Sequence, residues 1–176
     1  MKRFTMIGIF GIFFLCILTH FIYDIFPCTF TAIFFPVNES IWEHMKMLFT
    51  TILLYHGLEY TYLYFKKITI PNFSIATFIS AILAIPIYLI LFLPIYYHMG
   101  ENLLITLLLL LIVIAMIQYI HYKIITYKKI PYQCILAITS IIITYIILGY
   151  LTYNPPLTHL FFDTEHEKYG IHHYNI

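Results

Sequence analysis

The sequence predicts an all-α protein: a polytopic bundle of five membrane-spanning helices, with the amino terminus inside and the carboxyl terminus outside. Three observations carry this. Of the 176 residues, 62% are hydrophobic and only 10% charged, whereas an ordinary soluble domain has roughly a quarter of its residues charged. Apolar stretches recur that reach the about 20 residues a helix needs to cross hydrocarbon, where every backbone amide must be bonded inside its own segment. Basic residues gather at alternate loops. The same composition excludes a soluble domain, a disordered tail and a nucleic-acid-binding module, each of which needs more surface charge.

The expected spans run from Phe4 to Ile25, Ile41 to Phe65, Phe73 to Tyr97, Leu103 to Tyr122 and Tyr132 to Tyr153. The first begins Met1-Lys2-Arg3 but is too long for a signal peptide and has no small-residue cleavage site, so it is expected to be retained. Pro27 and Pro36 bracket the next loop, Pro71 opens the third span, Gly100 divides the third from the fourth, and Pro131 opens the fifth. Asn154-Pro155-Pro156 ends the last span. Residues 1–153 thus form the transmembrane domain and residues 154–176 an extracytoplasmic tail. Cys16 and Cys134 fall in apolar stretches and Cys28 in the first loop, which argues against a disulfide framework.

Short loops rich in Lys and Arg stay cytoplasmic. Lys2, Arg3, Lys66, Lys67, Lys123, Lys128 and Lys129 fall on one side of a five-span topology, leaving Lys46 and Lys168 as exceptions. Asp24, Glu39, Glu43, Glu101, Asp163, Glu165 and Glu167 fall on the other, and Glu59 does not. The insertion rule does not require that acidic bias. It is explained either by ordinary surface polarity or by a cation site on the outer side.

Ionisable groups within spans are costly and mark candidate sites. In Val37-Asn38-Glu39-Ser40-Ile41-Trp42-Glu43-His44-Met45-Lys46, Ser40 and Glu43 have the form of a helix-capping box, and Trp42 suits an interfacial anchor. Capping leaves Glu39 and His44 unexplained. At 100° per residue Ser40, His44, Thr51, Tyr55 and Glu59 share one polar stripe, fit either for interhelical hydrogen bonds or for lining a cavity. His20 and Asp24 lie one turn apart, a spacing common to metal sites and to plain helical hydrogen bonds. His56 with Glu59, and His121 as a neighbour, suggest a satisfied buried pair or a proton relay. His98, His159, His166 and Asp163 add outer-side ligand types, while the terminal His172 and His173 read as incidental. Pro86 and Pro94 are expected to bend the third span.

Three stretches, His20 to Asp24 (HFIYD), Phe35 to Lys46 (FPVNESIWEHMK) and Pro155 to Ile171 (PPLTHLFFDTEHEKYGI), together resemble an uncharacterised family of small bacterial integral membrane proteins, a domain of unknown function, over essentially the whole chain. Thr158-His159 and Thr164 depart from the prolines expected beside the Leu-Phe pair and the aspartate. The resemblance implies membrane location and small size but no activity. More distantly, Ser40-x-x-x-His44 is similar to the serine and histidine pair of zinc-dependent membrane hydrolases that include alkaline ceramidases, although their His-x-x-x-His pair has no counterpart here.

The sequence therefore points to a multi-pass cell-membrane protein, of unnamed activity, with a His/carboxylate cluster on its extracytoplasmic side. As a metal-dependent hydrolase, His20, Asp24, His44 and Asp163 are the expected ligands, zinc the fitting ion, and Glu43 and His44 the catalytic pair. Glu39, Ser40, Tyr55, His56 and Glu59 complete the expected polar site. As a transport component, the stripe from His44 to Glu59 forms a path. As an accessory protein, these residues only cap, anchor and dock. The expected partners are the bilayer and a second copy or another membrane protein, with no nucleic acid.

Overall fold

Capping chemistry and proline-marked loops place the helix boundaries. The structure, a computed structural model, describes residues 2–171. Seven α-helices span Lys2–His20 (α1), Ile22–Ile25 (α2), Thr29–Phe34 (α3), Ile41–Phe65 (α4), Phe73–Met99 (α5), Leu103–Ile125 (α6) and Gln133–Tyr153 (α7). Ser40 starts α4 by accepting the Glu43 amide, and Asn102 starts α6 by accepting that of Ile105. The expected first span is interrupted at Phe21. Two residues earlier the Thr19 hydroxyl donates back to the Leu15 and Cys16 carbonyls, a bond that commonly bends a helix. α5 instead continues through Pro86 and Pro94 as one element.

Among the described residues, four stretches are long and apolar enough to cross a membrane: Met6–Ile25, Phe73–Met99, Leu103–Ile125 and Gln133–Tyr153. α4 carries Glu43, Lys46 and Glu59 and is not among them. It sits centrally all the same. α1 packs on α4 and α6, and α5 packs on α4, α6 and α7, so α1, α4, α5 and α6 close a ring against which α7 and the short α3 are laid. Ile12, Leu48, Phe49, Ile52, Ile114 and Ile117 fill its interior, while Leu58, Ile90, Leu104 and Ile146 face outward. Apolar residues on both faces are what a bundle surrounded by lipid requires.

The tail is folded. His159–Phe161 makes a 3₁₀ turn, and Phe162–Asp163 (β1) pairs antiparallel with Lys168–Tyr169 (β2). His172 and His173 lie outside the described residues.

Candidate functional site

The site is built where the end of α1 meets the start of α4. The polar stripe of α4 turns towards α1: the Thr19 and Thr51 hydroxyls lie 2.7 Å apart, and a Cβ on Gly11 would run into the Tyr55 ring. The middle of the stripe is thus taken up by helix packing rather than left as an open path. At its outer end the same packing brings His20 opposite His44.

Their Nε2 atoms are 3.1 Å apart. The Glu39 carboxylate, from the turn before α4, reaches both, with Oε2 at 3.3 Å from His20 Nε2 and 3.4 Å from His44 Nε2. His44 donates Nδ1–H to the Ser40 carbonyl at 2.9 Å, which fixes its tautomer and leaves the Nε2 lone pair turned to the cluster. The His20 imidazole holds the Glu39 carboxyl below the ordinary range, against the opposing effect of burial. Ligands at about 2.0–2.1 Å from a tetrahedral zinc lie about 3.3 Å from one another. The three side chains are partly exposed, between 24% and 35%, so a fourth position is reachable.

Of the four ligands expected from sequence, the structure brings His20 and His44 together and substitutes Glu39 for the two aspartates. Asp24 is exposed and outside the group. Asp163, fully buried, is also outside the group and holds the Glu39 turn in place. Its Oδ2 accepts the Glu39 amide at 3.2 Å and the His166 Nδ1–H at 3.0 Å, while Oδ1 accepts the amides of Glu165 and His166. Burial pushes this carboxyl up, but the amides of His166, Glu39 and Glu165 together with the His166 ring hold it below its ordinary value. Asn38 adds a second tie by donating to the Gly170 carbonyl at 2.8 Å, and Trp42 stacks on Phe161 of the 3₁₀ turn. Trp42, expected to anchor at an interface, is a docking surface for the tail.

Glu43 does not serve the histidines. It is 2% exposed and paired with Lys46, itself wholly buried. Glu43 also accepts the Val37 amide and the Thr152 hydroxyl, and Lys46 donates to the Ala32 carbonyl and to Thr152. The capping box is accordingly half formed: Ser40 accepts the Glu43 amide, but the Ser40 amide goes to Asn38 Oδ1. Glu43, expected from sequence to activate water at His44, is instead found in a buried ion pair that joins α4, α7, α3 and the segment after it. The i,i+3 spacing of Glu43 and Lys46 allows the pair, but sequence spacing cannot foresee its burial, because the partners Ala32 and Thr152 come from other elements.

His56, Glu59 and His121 form a separate group towards the other end of α4. His56 Nδ1 is 2.8 Å from Glu59, and the His56 and His121 rings stack with centroids 4.0 Å apart.

Two cavities meet at the triad. One, of about 450 Å³, passes between α1, α4 and α6, and the other, of about 60 Å³, lies under the tail beside Tyr96, His159 and Phe162. Glu39, His44 and Glu101 line both. In the sequence Glu101 stands out only as one of the outer-side acids, in the loop before α6. The aromatic ladder Tyr88, Phe92 and Tyr96 on α5 walls the smaller cavity, with His159 edge-on to Tyr96.

Neither the curated proteins nor the solved structures hold a match to this chain. One family matches nearly all of it, over residues 1–171, and by that match the chain belongs to the family of unknown function DUF6512.

Proposed function

We propose that the chain is a five-span membrane protein with its amino terminus in the cytoplasm, and that His20, Glu39 and His44 form an extracytoplasmic zinc centre that hydrolyses an ester or amide. The observation that carries it is the mutual spacing of three donor atoms, at 3.1, 3.3 and 3.4 Å, close to the edge of a tetrahedron about zinc. α4 is taken as the fifth span because its charges Glu43 and Lys46 neutralise one another inside the bundle. The orientation is supported by seven basic residues at the opposite end. Residues 154–176 then lie outside, and the described part of them, 154–171, is folded over the centre.

His20, Glu39 and His44 would hold zinc with a fourth position open to water, and the ion would supply Lewis acidity and lower the pKa of that water towards neutrality. The chain's own residues do the rest. The Ser40 carbonyl and Asp163 fix His44 and Glu39, and Glu101, lining both cavities, takes the proton of the attacking water. A bond forms from the water oxygen to the acyl carbon, the bond to the alcohol or amine breaks, and the proton passes from Glu101 to the leaving group.

Elemental analysis of protein purified without chelator and supplied with zinc tests the centre. About one zinc per chain, lost in His44→Ala, is the expected result. No stoichiometric metal, with His44→Ala indistinguishable from the parent, overturns it. Retention of iron in preference to zinc keeps the centre but overturns hydrolysis, because two histidines and a carboxylate also suit ferrous iron.

A further inference from the structure

Resting on the zinc-centre reading, we infer that the substrate is a linear-chain amphiphile that enters sideways from the outer leaflet, with its chain between α1 and α6 and its scissile linkage at the triad. The larger cavity separates polar from apolar along its length. His20, Glu39, His44 and Glu101 belong to the helix ends and loops, whereas Ile17, Leu48, Leu107 and Leu110 belong to the helices below them. From Leu103 to Leu110 is seven residues, about 10 Å along α6. The rim is open on the bundle's outer surface: Ile17 is 43%, Phe21 52% and Leu103 73% exposed. A volume of about 450 Å³ falls within the range of pockets that enclose small organic ligands.

The smaller cavity fixes the other end of the arrangement. At about 60 Å³ it has room for about two waters at roughly 30 Å³ each and none for a second chain. It lies beneath the tail, lined by Tyr96, His159 and Thr164. Water reaches the triad from the tail side while the chain reaches it from the lipid side. That division lets one centre join two solvents.

The test is photolabelling of zinc-loaded protein in phosphatidylcholine vesicles with a dodecyl hydroxamate carrying a diazirine at the chain end. The hydroxamate is the metal-binding head, and the diazirine reports where the chain lies. Labelled peptides from α1 and α6, competed away by unlabelled hydroxamate and reduced about tenfold or more in Leu107→Trp at unchanged zinc content, are expected. Labelling spread over other helices, or labelling of α1 and α6 that neither competitor nor Leu107→Trp diminishes, overturns the inference. Zinc content is measured on the same samples. A zinc-replete protein without chain-site labelling therefore rejects the amphiphile alone, whereas a zinc-free protein rejects the centre on which it rests.

Discussion

Asp163 and Glu43 show how far a carboxylate's role depends on what its oxygens already accept. Asp163 spends both oxygens on four donors, one of them the Glu39 amide, and so acts on the centre through Glu39 as a positioning residue. Asp163→Ala is expected to weaken zinc binding about 10–100-fold, the usual effect of losing support behind a ligand, with helix content unchanged. Zinc titration against a competing chelator, with circular dichroism on the same samples, checks it. Glu43→Gln leaves the Lys46 charge buried without its partner, which costs about 3–5 kcal/mol, and thermal unfolding in detergent measures the loss. Glu43→Leu combined with Lys46→Met should recover much of it, since matched apolar residues in place of a buried pair are often neutral. Zinc stoichiometry should not change in either variant, in contrast to Glu39→Gln.

Helix contacts decide the distance between the two imidazoles. His20 ends α1 and His44 stands in the first turn of α4, and they meet because Gly11 lets Tyr55 approach and Thr19 meets Thr51 along the same seam. Gly11→Val should wedge α1 away from α4 and lower zinc affinity without touching a ligand. If affinity in the chelator titration stays at the parent value, the seam does not set the site. At the opposite end Asn72 ties loops together. Its amide donates to the carbonyls of Ile124, Tyr127 and Lys128, and its carbonyl accepts the Ile130 amide. Asn72 is also the left-handed residue before α5, with φ 58°, a conformation asparagine tolerates better than most. Asn72→Ala should destabilise by about 1–3 kcal/mol through unsatisfied buried groups, again seen by unfolding, with zinc content unaltered. The sequence marks this site only as a residue after proline.

At the scale of the molecule, the nearly balanced charge of nine basic against eight acidic residues conceals a polarised bundle, with seven of the bases at one end and most acids at the other. A Cys28→Ser background with Glu165→Cys should react with an impermeant maleimide from outside intact cells. Reaction only after the inner face is opened inverts the proposed topology. The sequence by itself determined that the chain is helical and built for a bilayer, because hydrophobic length and proline placement are local properties that survive any arrangement of the helices. It also singled out His20, His44 and Glu39 as worth attention, but grouped the histidines with Asp24 and Asp163, whereas Glu39 is the acid that lies beside them. Only the tertiary structure decided that Glu39 joins them, that Asp163 stands behind Glu39, and that the Glu43–Lys46 pair is buried against α3 and α7. Such assignments depend on which distant elements occupy each side chain's hydrogen-bonding capacity, and along the chain Asp163 is 124 residues from the amide it accepts.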